Sequence, residues 1–160
     1  MELLLLRHGQ AENHSPDGGD FSRALVKKGV EQARHAARIL RSASSLPDLV
    51  LCSPLVRARQ TADAFTEEAA MPGAIVQSWL ACGMAPETAL EELVAYPDFE
   101  RIMIVGHEPD FAHFIQYALG TVGEAIEVRK GSVTCLEISP PSRRATLRFL
   151  LPHKLAKHLD

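Results

Sequence analysis

The chain begins with an apolar run, Leu3 to Leu6, that stops abruptly at Arg7-His8-Gly9, and two later apolar runs also stop at a polar segment. Leu49–Cys52 passes into Ser53-Pro54, and Arg101–Val105 into Gly106-His107-Glu108-Pro109. Short, near-continuous apolar runs are what strands covered on both faces require, so Glu2–Leu6, Leu49–Cys52 and Arg101–Val105 are predicted as strands of a parallel sheet. Between them the period changes. Val30, Ala33, Ala37 and Leu40 recur at helical spacing, with Lys27, Lys28, Arg34, Arg38 and Arg41 on other faces. Ala58, Ala62, Phe65 and Ala69 repeat the spacing, and Phe111, Phe114, Ile115, Ala118 and Leu119 form a third stripe.

Ser53 before Pro54 reads as a helix N-cap followed by proline at the first helical position, and Pro109 plays the same part for the third helix. A fourth helix is predicted over Pro86–Ala95, stopped by Tyr96-Pro97. After Gly131 the pattern alternates: "SVTCLEI" and "ATLRFLL", joined by "SPPSRR", predict an antiparallel hairpin at one sheet edge. Gly18-Gly19 lies in a polar loop, with too little chain before it to form a domain. The expected architecture is α/β: a single three-layer α/β/α domain over residues 1–160, its sheet mostly parallel with an antiparallel edge. The single Trp79 and the six phenylalanines are assigned to the core.

Composition changes this picture little. At 160 residues the chain can bury about two-thirds of its unfolded surface. Hydrophobic residues at 46% and charged residues at 23% suit a globular protein. The net charge of −3 gives no general attraction to nucleic acid or anionic membranes, so any anion site must come from local placement of charge. Cys52, Cys82 and Cys135 form no C-x-x-C pair and read as reduced thiols. No apolar run approaches the roughly 18 residues of a membrane span, and "LLLL" lacks the basic leader of a signal peptide. A cytoplasmic location without nucleic-acid or membrane partners is expected.

The chemistry lies just beyond the strands. In open α/β sheets the ligand crevice sits past the carboxyl ends of the strands, so Arg7-His8-Gly9, "SPLVRARQTA" and Gly106-His107-Glu108 should meet in one cleft. Arginines and a histidine facing one point beside helix amino ends suit a small, highly charged anion, phosphate above all, because the guanidinium fork makes parallel hydrogen bonds to a phosphoryl group. A remaining neutral histidine can act as a nucleophile toward phosphorus. Two arginines would repel a divalent cation, and "HEPDFAH" is not H-E-x-x-H, so neither metal nor other cofactor is expected.

These residues also carry a resemblance. "LLLLRHGQAE" resembles the R-H-G motif of the histidine phosphatase superfamily, which has the phosphoglycerate-mutase-like fold. "SPLVRARQTA" resembles its second motif, "VGHEPD" its third, and "DFSRALVKKGVEQA" the segment leading into the first helix with G-x-x-Q-A. The length is similar to that of the small SixA-type phosphohistidine phosphatases. The resemblance implies that His8 is the phosphorylated nucleophile and that Arg7, Arg57 and His107 bind the phosphoryl oxygens; His107 is expected to be protonated as it stabilises them. Arg57, not Arg59, takes the motif's arginine position.

The larger members carry a carboxylate general acid after the second motif. In the corresponding stretch here, "SWLACGMAPETALEEL", Glu87 is the nearest candidate, and nothing around it matches an acid motif. Glu12 and Glu108 could line the cleft. A missing acid biases the expectation toward a P–N substrate, because phosphohistidine can expel a neutral imidazole whereas an ester must expel an alkoxide. The expected activity is a phosphatase acting on phosphohistidine in a protein, such as a histidine-containing phosphotransfer domain. The alternatives are hydrolysis of a small phosphorylated metabolite and, from another class, a non-catalytic phosphate-recognition module.

Overall fold

A computed structural model describes residues 1–158; the last two positions of the expected domain, 159 and 160, lie outside the described residues. Six strands form one sheet: β1 (Glu2–Arg7), β2 (Leu49–Cys52), β3 (Ile75–Val76), β4 (Arg101–Gly106), β5 (Val133–Ile138) and β6 (Ala145–Leu151). Their order is β3-β2-β4-β1-β5-β6, with β3, β2, β4 and β1 parallel and β5 and β6 forming the antiparallel edge. Among the described residues five α-helices accompany it: α1 (Lys27–Ser42), α2 (Val56–Glu68), α3 (Pro86–Leu93), α4 (Asp110–Leu119) and the short α5 (His153–Ala156). The α/β architecture with a mixed sheet is as the pattern predicts.

The four leucines of β1 are explained by its place in the sheet. Side chains alternate across a strand, so Leu3 and Leu5 enter the core beneath α3 and α4, while Leu4 and Leu6 enter the core beneath α1 and α2. All four are essentially fully buried, each contributing about 1.5–3 kcal/mol of burial. That central strand is paired along its whole length. Arg7 lies opposite Gly106, and Leu6, Val105 and Cys52 lie on one row across β1, β4 and β2. The residues just beyond that row are the polar ones.

Several boundaries differ from the sequence reading. Ser53-Pro54 does not start a helix: α2 begins at Val56, with Leu55, in extended conformation, as its N-cap. Pro109 is the N-cap of α4 rather than its first helical residue. Pro86 does open α3, which ends at Leu93, two residues before the predicted stop. The two-residue β3 and the short α5 carry too little pattern to be read from sequence. Phe65, Phe111 and Phe114 are core, whereas Phe21 and Phe149 are exposed and Trp79 is half-buried. All three cysteines are free; Cys52 and Cys135 are buried and Cys82 is exposed.

Candidate active site

The chain turns out of β1 at Gly9, and the turn is held from three sides. Gly9 N–H donates to the Thr61 hydroxyl of α2 at 3.1 Å, and that hydroxyl donates to the Arg57 carbonyl at 2.7 Å. Gln10 N–H donates to Gln32 Oε1 of α1 at 2.7 Å. The start of α1 presses directly on this turn. A Cβ at Gly9 would stand 2.4 Å from the Gly29 carbonyl oxygen, and one at Gly29 would stand 2.2 Å from the Gln10 carbonyl oxygen. The G-x-x-Q spacing of Gly29 and Gln32 is therefore a device for seating the His8 loop.

Within that loop the His8 imidazole is buried, and its tautomer is set by its neighbours. Nδ1 lies 2.8 Å from the Gly9 carbonyl oxygen, which can only accept, so Nδ1 carries the proton. Nε2 keeps its lone pair, which accepts from Arg57 Nε–H at 3.3 Å. Burial, with the nearby charges of Arg57 and Arg7, pushes the His8 pKa down to about 3, against the opposing effect of the Gly9 hydrogen bond. The ring is a neutral base at neutral pH.

His107 stands beside it, ring centroids 5.2 Å apart. Its Nε2 lies 2.7 Å from the Ser53 hydroxyl, which also accepts from Leu55 N–H at 3.3 Å. Among the described residues that buried hydroxyl has no other acceptor for its own proton, so it donates to Nε2 and the imidazole proton falls on Nδ1. His107 Nδ1 is buried without a partner. Burial first, and then Arg57, lower the His107 pKa to about 4. In the free protein His107 is neutral, since a cation there would be desolvated among arginines.

Arg57 is almost fully buried. Besides His8, its Nη1 donates to the Asp20 carbonyl at 2.8 Å and its Nη2 to Asp20 Oδ2 at 3.0 Å. Burial acts to raise the Asp20 carboxyl, but hydrogen bonds from Arg23 and Arg57 hold it below its ordinary value. Arg7 donates from Nη1 to the Val128 carbonyl at 2.7 Å, while its Nε is buried and unpartnered. His8, Arg57 and His107 therefore meet by direct contact, and Arg7 stands next in the chain at the cleft wall. Its guanidinium lines a cleft of about 950 Å³ together with Glu108 and Tyr117, and another of about 630 Å³ on its other side.

Glu108 is half-buried in the first of these clefts. Burial raises its carboxyl pKa, against a hydrogen bond from Ala112 N–H and the charge of Arg7. Glu87 is exposed on the first turn of α3, and Pro86, not Glu87, enters the wall of that cleft. Glu12 is exposed. Sequence reasoning assigned Ser53 to capping and missed Asp20, Thr61 and Gln32 as supports. The Q-T-A and G-x-x-Q-A spacings were the available signal for the last two. Among the described residues no three His, Cys, Asp or Glu side chains are grouped so as to hold a metal ion.

The family model of the histidine phosphatase superfamily (branch 1) matches residues 3–80, which carry Arg7, His8 and Arg57. An uncharacterized protein of Picosynechococcus sp. is 30% identical over 141 residues, 83% of this chain and 82% of its own length. The chain belongs to the histidine phosphatase superfamily. Its fold is that of solved superfamily structures. The protein histidine phosphatase SixA, complexed with tungstate, superposes with a TM-score of 0.86 at 20% identity over 100% of both chains. A putative alpha-ribazole-5′-P phosphatase from Escherichia coli superposes with a TM-score of 0.74 at 22% identity, over 96% of this chain and 97% of that one. Likeness at such identity concerns the fold; within this superfamily it leaves the leaving group to be argued from the cleft.

Proposed function

We propose that the protein is a metal-independent phosphatase that hydrolyses phosphohistidine on a protein through a phosphorylated His8. The observation that carries this reading is the state of His8: a buried neutral ring, its Nδ1 proton held by the Gly9 carbonyl, its Nε2 lone pair beside Arg57. Nε2 attacks phosphorus in line, and its contact with Arg57 is long enough to be exchanged for one between Arg57 and a phosphoryl oxygen. The Arg7 guanidinium and the unspent His107 Nδ1–H supply further donors as charge develops on the equatorial oxygens. Proximity of that dianion raises the His107 pKa, so substrate binding is the step that favours its protonation.

The P–N bond to the substrate imidazole breaks as the new one forms. The departing ring leaves neutral when its far nitrogen is already protonated, so no enzyme acid is demanded. Water then attacks the phosphoenzyme, releasing inorganic phosphate and restoring the neutral His8 ring. The match to SixA, a protein histidine phosphatase, supports this choice of substrate through the extent of the shared fold.

A second reading, a small phosphomonoester as substrate, is favoured by one observation: Glu108, a carboxyl raised by burial, shares a cleft wall with Arg7 and could protonate an alkoxide. The match to the putative alpha-ribazole-5′-P phosphatase of Escherichia coli supports the same alternative. Rapid-quench labelling with phosphorylated substrate tests the common intermediate. Wild-type protein should carry an acid-labile phosphate and His8→Ala none; equal labelling of the two would sink the His8 assignment. Turnover of phosphohistidine and of phosphomonoesters separates the substrates. Glu108→Gln should cost on the order of 10²-fold on an ester and little on phosphohistidine, if the carboxyl serves only as an acid.

A further inference from the structure

The cleft on the other side of Arg7 has a different character. It spans about 630 Å³, and its walls carry Arg7, Lys28, Arg129, Lys130, Lys154 and Lys157, with no Asp or Glu among the described residues that line it. The chain as a whole has 20 acidic and 17 basic residues, so this concentration runs against the molecule's net charge of −3. The cations arrive from four separate parts of the chain: the end of β1, the start of α1, the segment before β5, and α5 with the residue after it. Arg129 is paired with Glu127 at 2.9 Å, but Lys28, Lys154 and Lys157 have no carboxylate partner among the described residues.

The cleft shares Arg7 with the candidate active site. Gln10, two residues after His8, lies in its wall and accepts from Lys130 Nζ at 3.4 Å, while Gln32, also in the wall, donates to the Lys130 carbonyl at 3.3 Å. Burial and the charges of Arg7, Arg23 and Arg57 depress the Lys130 pKa, which places that ammonium within the field of the phosphate-binding arginines. On the far side α5 is seated on α1, where the His35 and His153 rings lie 5.2 Å apart.

We infer that this basic cleft is a docking surface for the acidic face of the phosphorylated protein whose phosphohistidine enters the site at His8, an inference that rests on the function proposed above. Exposed lysines at α1 and α5, as point charges on flexible stems, suit a spread array of carboxylates at a wet interface rather than one enclosed second phosphate. The buried, fork-shaped donors that a compact phosphate needs are already gathered at Arg57 and Arg7. Arg7 lines this cleft and stands beside His8, so a partner held by its carboxylates in the cleft presents its phosphoryl group close by. Such complementarity acts chiefly on encounter rate and is screened by salt.

The test uses the full chain and four substrates: a phosphohistidine peptide flanked by glutamates, its glutamine-flanked counterpart, free phosphohistidine, and a small bisphosphate. Wild-type protein should prefer the glutamate peptide in kcat/KM by about tenfold or more at low salt and lose that preference at high salt. The triple variant K28E/K154E/K157E should lose the preference yet turn over free phosphohistidine at the wild-type rate, whereas K28R/K154R/K157R should keep both. A wild-type protein without the preference, or a charge-reversed variant that retains it, overturns the docking surface while leaving the phosphohistidine reading intact. Loss of rate on the bisphosphate but not on the acidic peptide also overturns it, by making the cleft a subsite for a small second anion. Failure of wild-type protein on free phosphohistidine and both peptides, with phosphomonoesters still cleaved, refutes the substrate reading itself and the docking inference with it.

Discussion

The chemistry of this site reduces to which nitrogen of His8 holds a proton. A backbone carbonyl one residue away takes Nδ1–H, and that single contact leaves Nε2 as the reactive atom. Arg57 then has two tasks, facing Nε2 with Nε–H and holding Asp20 with its fork. Replacing it should remove a preorganised charge at the transition state: Arg57→Ala is expected to lower kcat on free phosphohistidine by about 10²–10³-fold. Arg57→Lys should recover only part of that, because an ammonium cannot make the same planar set of hydrogen bonds. An unaltered rate in Arg57→Ala would remove the residue from the reaction. The residue types and their order were legible in the sequence, because His8 and His107 follow directly on strands that the hydrophobic pattern marks and Arg57 lies in the segment after a third. The tautomer was not, and neither was Ser53 as the partner of His107, since both depend on distances between segments far apart in the chain.

Among the elements, the contact between the loop after β1 and the start of α1 governs the geometry most directly. Gly9 and Gly29 face each other without side chains, and the gap between them would not admit one: the Cβ of an alanine at position 29 would lie 2.2 Å from the Gln10 carbonyl oxygen. Gly29→Ala must therefore displace either the helix or the loop, at a cost of about 1–3 kcal/mol or more. The expected result is a lower Tm together with a loss of kcat out of proportion to the unfolded fraction, since Gln10 and His8 share the displaced loop. A variant with wild-type Tm and kcat would show that the contact is slack. The pattern of apolar positions announced α1 and β1 separately. It held no record that they touch, so the helix glycine could be seen as a motif position but not as a contact.

At the scale of the molecule, burial of two histidines among arginines links folding to pH. His8 and His107 titrate at about 3 and about 4 in the folded chain and near 6.5 when unfolded. Between about pH 4 and pH 6.5 the unfolded chain binds more protons than the folded one, so stability falls as pH falls, by about 1.4 kcal/mol per pH unit for each histidine. The penalty is absent above pH 6.5. Thermal unfolding monitored from pH 7 to pH 4.5 should show this slope, and the double variant His8→Gln/His107→Gln should flatten it; an equal slope in both would place the titration elsewhere. Over the same range the basic character of the cleft beside Arg7 persists, because lysine and arginine do not titrate there. The strands other than β3, the helices α1 to α4 and the antiparallel edge were readable from sequence alone, because burial on two faces, on one stripe or on alternate positions each writes its own period into the chain. The convergence of His8, Arg57 and His107 was also implicit, since parallel strands deliver their carboxyl ends to one edge. Tertiary structure alone decided what those residues are in place: a neutral pair of imidazoles, an arginine held by Asp20, a carboxyl at Glu108 rather than Glu87 in the cleft, and lysines from three parts of the chain gathered on one wall. Protonation states and charge fields depend on distances across the fold and on exclusion of water, and a linear pattern encodes neither.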